Sequence, residues 1–311
     1  MRDDAPGTPA GSGSDRVRRA GSPSSAIAGL VAVVALTAAA CTAQPAEPTT
    51  ASPTSEAPSQ PPASGDAPEP APAGVDQIAL SEPLDHVHGL LVAGDGTLRV
   101  GTHTGLAAVT TDGTVSRVGT SRDDLMGMTG VPGTDRLASS GHPGAGSALP
   151  NPVGLIASDD GGLSWSAVSL TGEVDFHALA TDGTVVVGYG GGSRVLTSTD
   201  GGETFTPGAA IAPAALAITP GHVWATTADG PQHSTDNGQT FAVVEGAPLL
   251  VLIAAGADAS LWGVDTEGVA WRSSDGTTWE RRATVGPVDA LTVADHATAY
   301  AMTATTLLAL T

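Results

Sequence analysis

Apolar and polar positions divide the chain into three regions. Residues 26 to 40, "AIAGLVAVVALTAAA", are an unbroken apolar run of 15 preceded by Arg16, Arg18 and Arg19. A run of that length is short for a bilayer-spanning helix and has the layout of an export signal, with a basic region before an apolar one. Residues 42 to 74 carry no hydrophobic period and consist largely of Pro, Ala, Ser, Thr and Glu. Such a segment cannot bury enough surface to offset chain entropy, so it is expected to act as an extended, semi-rigid spacer. From residue 75 onward short apolar stretches recur with strand character: "HVHGLLV" at 86, "DLMGMTG" at 124, "DFHALAT" at 175, "PAALAIT" at 213, "PLLVLIA" at 248 and "PVDALTV" at 287.

Between these stretches a turn motif repeats. "SDDGGLSW" (158–165), "STDGGETF" (198–205) and "STDNGQTF" (234–241) share the form Ser-x-Asp-x-Gly-x-Ser/Thr-aromatic, and "SSDGTTW" (273–279) is one residue shorter. The equivalent aspartates Asp160, Asp200, Asp236 and Asp275 are 40, 36 and 39 residues apart. A period near 40 with several short strands per unit predicts an all-β fold, a β-propeller of six blades, with seven as the alternative. The last unit has room for only three strands, and "DQIAL" (76–80) is expected to supply its missing outer strand and close the ring. The chain therefore divides into a signal peptide (1–41), a Pro-rich linker (42–74) and a propeller domain (75–311).

The turn motif resembles the Asp-box, or bacterial neuraminidase (BNR) repeat. That resemblance implies a structural role for its aspartates, which accept backbone N–H bonds across the turn between the third and fourth strands of a blade. The "AAAC" ending at Cys41, the only cysteine of the chain, resembles the bacterial lipobox. It implies lipidation of Cys41 and a protein held at the outer face of the cell membrane. With a single cysteine outside the domain, no disulfide is available and the propeller must be stabilised by packing.

Charge narrows the partners. All 12 basic residues are arginine against 32 acids, a formal net charge of −20. So acidic a chain repels phosphate backbones, which sets nucleic acid aside.

Candidate chemistry collects on one face. An innermost propeller strand starts at the top rim of the central channel, where the loop between second and third strands also lies. That rule places His86, His88 and His177 at strand starts, and His103 and His142 in second-to-third-strand loops. Three strand starts read His86-x-His88, Asp124-x-Met126 and Asp175-x-His177, and alternate residues of a strand share a face, so each pair is expected to point into the mouth. Asp289 of the sixth unit extends the arc. The ligand-binding candidates are thus His86, His88, His103, Met126, His142, His177 and Asp289. His88, His103, His142 and His177 are the candidate metal ligands. Imidazole with carboxylate suits zinc or copper(II), and thioether from Met126 or Met128 would favour copper(I). The long stretch 141–154 is expected to overhang this face as a lid.

The strand and loop series together with the boxes resembles a family of bacterial lipoproteins labelled sialidase-like or glycosyl hydrolase, over residues 80 to 311. A sialidase requires an arginine triad and a tyrosine nucleophile. Here no triad is evident, Tyr189 and Tyr300 are the only tyrosines, and the Phe-Arg-Ile-Pro signature is absent. A different glycosidase would use two carboxylates, for which Asp124 and Asp175 are best placed. The expected function is an exported, membrane-anchored propeller binding a small ligand, copper or zinc among the candidates. A glycoside hydrolase at the same mouth and a protein-interaction scaffold on the top face are the alternatives.

Overall fold

The computed structural model describes residues 74–311. These residues form strands and turns with no α-helix, and all strand pairs are antiparallel. Six four-stranded sheets follow one another as the blades of a propeller. The innermost strands are Val87–Val92, Thr129–Gly130, Ala178–Thr181, Ala215–Thr219, Leu250–Ala255 and Ala290–Asp295 for blades 1 to 6.

Closure of the ring is as the sequence predicts. Val75–Ala79 pairs with Thr306–Leu310 as the outer strand of blade 6, and Thr311 N–H donates to Gly74 O at 3.0 Å. N- and C-terminal strands thereby share one sheet, which covers the edge that blade 6 would otherwise expose. Six apolar clusters hold the ring, one between each pair of adjacent blades. Blades 1 and 2 meet through Leu106, Leu125 and Ile156, and blades 6 and 1 through Leu98, Val100, Met302 and Leu307. The described residues 74–311 form a compact unit with this core of their own.

The repeated turns join third and fourth strands, at the opposite end of the blades from the inner-strand starts. In blade 3, Ser198 Oγ donates to Asp200 Oδ1 at 2.6 Å, Thr204 N–H donates to the same oxygen at 3.0 Å, and Thr204 Oγ1 donates to Oδ2 at 2.6 Å. The same pattern recurs at Asp160 and Asp236. Hydrogen bonds from these serine and threonine groups hold Asp160, Asp200 and Asp236 at a pKa of about 2.

Blade 2 departs from the sequence reading. Its inner strand starts at Thr129, and Asp124–Leu125 instead pairs with Gly141–His142 in a separate two-stranded ribbon. Blades 2 and 3 approach closely just after the ribbon strand Asp124–Leu125. A Cβ on Gly127 would lie 2.2 Å from the Phe176 carbonyl oxygen, so only glycine fits at that approach.

Candidate functional site

The inner strands enclose a channel lined largely by aliphatic side chains, including Leu90, Leu179, Leu216 and Leu291. His88, His177 and Asp289 enter that lining from the starts of blades 1, 3 and 6. His177 N–H donates to Tyr189 O at 2.9 Å and Asp289 N–H to Met302 O at 2.8 Å, the same position in two blades.

Blade 1 builds the histidine cluster with two local devices. The register of its first two strands shifts between Val87 and Gly89, so that His88 is the extra residue of a bulge. Bulges re-aim a side chain at the rim of a sheet. His86 precedes the strand in the left-handed region, with φ 52°. Simple alternation along one strand, the sequence expectation, is therefore not how the pair is set; the bulge and the left-handed turn bring the rings together. His103 sits in the tight turn 102–105, where Thr102 Oγ1 donates to Gly105 O at 2.8 Å and His103 N–H donates to Asp85 O at 3.3 Å. Gly105 is obligatory there, having φ 109° and no room for a Cβ, which would lie 2.5 Å from Ser121 O.

His86, His88 and His103 each offer a ring nitrogen, and these atoms lie within 4.8 Å of one another. The His88 and His103 rings stack at 4.5 Å with an interplanar angle of 11°, and His86 lies 4.6 Å from His103. The ribbon of blade 2 brings Asp124 alongside, with Oδ1 3.6 Å from His88 Nε2. Both atoms are buried and have no hydrogen-bond partner. Burial, ahead of the opposing pull of Asp124, lowers the His88 pKa below its ordinary 6.5, with the neighbouring histidines adding to the depression. A neutral imidazole with an unused buried nitrogen is the state in which histidine binds a metal.

A second group lies on the other side of the ribbon. His142 is opposite Asp124 in the ribbon register, and its Nε2 is 3.3 Å from Asp175 Oδ2. His177 Nε2 approaches the same oxygen at 3.1 Å. His142 Nδ1 is 2.8 Å from Asn151 Oδ1, which ties the long loop 143–154 to the site. Asp175 Oδ1 is buried without a partner. The four histidines singled out as metal ligands are thus divided. His88 and His103 join His86, whereas His142 and His177 share Asp175. Met126 is half-buried, while Met128 is buried and lines the channel. Asp289 is exposed at the blade 6 rim.

Arg117 donates through Nη1 to Thr104 O at 2.7 Å and so braces the His103 turn. Only the pairing of the fourth strand of blade 1 with the third reveals this, because it sets Arg117 opposite Ala107. Arg122 donates to the carbonyls of Thr120 and Ser121 at 2.9 and 2.8 Å. Asp123, buried, accepts from Ser121 Oγ and from Gly144 N–H, each at 2.8 Å, and fixes the base of the long loop.

The chain is a six-bladed β-propeller with a histidine- and aspartate-rich channel mouth. No model of a known protein family matches it, and no curated protein sequence does. Among solved structures it is similar to a protein of unknown function from Bacteroides thetaiotaomicron, with TM-score 0.59 and 10% identity over 76% of this chain and 75% of the other. It is also similar to a gluconolactonase from Xanthomonas campestris, with TM-score 0.53 and 12% identity over 76% and 89% of the two chains. A third is the virginiamycin B lyase of Staphylococcus aureus, solved as a catalytically inactive H270A variant with quinupristin. There the TM-score is 0.52, with 13% identity over 76% of this chain and 98% of the other. At such identities the likeness is one of fold.

Proposed function

We propose that this protein is an exported, lipid-anchored propeller of the Asp-box type that binds a divalent transition metal, zinc or copper(II), through His86, His88 and His103 beside Asp124. The observation that carries this reading is the convergence of three ring nitrogens, one from each imidazole, within 4.8 Å, in a cluster where His88 Nε2 is buried and unpartnered. Burying a polar nitrogen without a partner costs free energy, and a metal ion supplies the partner. Three imidazoles favour zinc or copper(II), and a neighbouring carboxylate completes a four-ligand shell or orients an imidazole. His142, Asp175 and His177 provide polar groups for a molecule coordinated at the open side of the ion.

The test is metal content by mass spectrometry after dialysis against zinc and copper(II). One equivalent is expected in the native protein and less than a tenth of that in the His88→Ala/His103→Ala variant. Equal metal in the two would overturn the assignment. Cys41 lies outside the described residues. Its role is tested by fractionation, with the native protein expected in the membrane and Cys41→Ser losing the lipid.

A second reading uses the same mouth for hydrolysis, with Asp124 and Asp175 as the paired carboxylates. It is favoured by one observation, a buried oxygen without a partner on each. Release of nitrophenol from aryl glycosides, abolished by Asp175→Asn, would put this reading first. Among solved relatives of the fold, one opens a lactone ring as its name states and another is a lyase, so lactones belong in the same screen.

A further inference from the structure

The repeated turn of blade 2 departs from its counterparts at two positions. Between the glycine and the Ser/Thr of the turn stand Glu203 in blade 3 and Gln239 in blade 4, but Leu163 in blade 2. The aromatic that follows is Phe205 and Phe241 in those blades, but Trp165 here. Leu163 is 64% accessible, the most exposed of the large hydrophobic side chains among the described residues. Its exposure is not that of a loose segment. A Cβ on Gly119 would lie 2.7 Å from Leu163 O, so the turn is pressed onto the end of blade 1. Trp165 Nε1 is buried without a partner, whereas Trp279, the tryptophan of the blade 5 turn, donates to Gly276 O at 3.1 Å. A buried indole N–H ordinarily has an acceptor.

Leu163 and Trp165 line one cleft between blades 1 and 2, of about 380 Å³, within the roughly 300–1,000 Å³ of small-molecule sites. The long loop of blade 2 supplies another wall through Ser147 and Leu149. That wall is fixed in place. A Cβ on Gly144 would lie 1.8 Å from Arg122 O, and Ser147 N–H donates to Gly144 O at 3.1 Å. Arg122, exposed, completes the rim. The carbonyls of Thr120 and Ser121 hold its Nη1, and its Nε and Nη2 have no acceptor among the described residues. No residue of this cleft lines the channel.

The charged groups at the cleft are Arg122 and Asp123, with Asp160 behind Ser164. Both oxygens of each carboxylate already accept hydrogen bonds, Asp123 from Ser121 Oγ and Gly144 N–H, and Asp160 from Ser158 and Ser164. One positive charge against two occupied negative ones selects neither an anion nor a cation. What the cleft offers is an apolar wall of Leu149, Leu163 and Trp165 beside free donors. These are the Arg122 guanidinium and the Ser147 hydroxyl, whose oxygen accepts from Leu149 N–H at 3.4 Å and whose own proton is unused. A pure hydrocarbon would cover the guanidinium without supplying acceptors, and an ion would meet no balancing charge. A sugar ring carries an apolar C–H face and a rim of hydroxyls in one neutral molecule. We infer that this cleft binds a short neutral saccharide, a C–H face on Leu163 and Trp165 and hydroxyl oxygens on Arg122 and Ser147. The site is separate from the proposed metal site and does not depend on it.

The test uses the full chain labelled with nitrogen-15, whose five tryptophans each give an indole N–H signal. The signal missing from a Trp165→Phe variant is that of Trp165. Cellobiose, maltose and chitobiose are titrated in with EDTA present, which keeps metal out of the channel mouth. At least one of the three is expected to move the Trp165 signal saturably. A Leu163→Gln/Trp165→Phe variant gives blade 2 the residues that blade 4 carries at those positions, so it should fold and melt as the native chain does. Its affinity for the same disaccharide, by calorimetry, is expected to fall roughly tenfold or more. Arg122→Gln, at the exposed rim, should weaken it by about tenfold. No movement of the Trp165 signal with any of the three would overturn the inference. Undiminished affinity in either variant would also overturn it, by placing the sugar elsewhere on the molecule. So would a Trp165 signal that moves with protein concentration alone, which would assign the exposed Leu163 to a second copy of the chain.

Discussion

At the scale of single residues, His88 concentrates the chemistry. It is held by a bulge, stacked on His103, and aimed at Asp124 with neither facing atom satisfied. Because burial lowers its pKa below 6.5, the folded state favours the neutral ring and the unfolded state takes up the proton first. The stability that the neutral ring contributes is complete above about pH 6.5 and is lost as the pH falls toward the folded-state value. Metal-free protein should accordingly show a melting temperature that falls as the pH is lowered from 7 to 5. His88→Gln should fall less steeply, measured by circular dichroism in parallel. Identical pH profiles for the two would contradict a neutral, buried His88. The sequence located this residue through the "HVHGL" stretch, but expected His86 and His88 to alternate on one strand. The left-handed φ at His86 and the extra residue at His88 depend on how the first two strands pair, which no local pattern reveals.

At the scale of elements, the turns were the most legible part of the chain. Ser, Asp, Gly and Ser/Thr recur at fixed spacing because each fills a necessary place: hydroxyl donor, double acceptor, left-handed turn and second donor. Gly202, for example, has φ 92° and stands where a Cβ would lie 2.2 Å from Leu155. The hydrogen bonds that hold Asp160, Asp200 and Asp236 near a pKa of about 2 have a stability consequence. Folded-state values below the ordinary 3.8 mean stability present above about pH 4 and lost as the pH falls toward 2. Asp200→Asn is expected to melt a few degrees lower at pH 7 and to lose stability less steeply between pH 4 and 2. An unchanged melting temperature together with an unchanged acid limb would contradict a structural role for the turn aspartates. The ribbon of blade 2 was not legible, since two-residue strands carry no periodicity and the close approach of Gly127 to Phe176 beside it is a contact between blades.

At the scale of the whole molecule, ring closure makes the site. Blade 6 borrows Val75–Ala79 from the N-terminal side, and the apolar clusters run without a break from blade to blade. The sequence showed this closure in advance, because three strands cannot complete a blade and "DQIAL" is the one unassigned apolar stretch before blade 1. Removal of the chain up to residue 80 should expose the Thr306–Leu310 edge, broaden the thermal transition and drive association, as read by calorimetry and light scattering. A truncated unit that stays monomeric with the same melting temperature would contradict closure by the N-terminal strand. What the sequence could not show is which histidines from different blades meet. His86, His88 and His103 come from one blade and Asp124 from the next, whereas His142 and His177 meet over Asp175. That grouping follows from the packing of adjacent blades around the channel.

The proposed metal site is tested most directly by X-ray absorption at the zinc edge of zinc-loaded protein, beside the His103→Ala variant. Three imidazole nitrogens at about 2.0–2.1 Å with an oxygen in the same shell, and one imidazole fewer in the variant, are the expected result. A sulfur shell at about 2.3 Å, or an imidazole count unmoved by the substitution, would contradict the assignment of His86, His88 and His103 as the ligands.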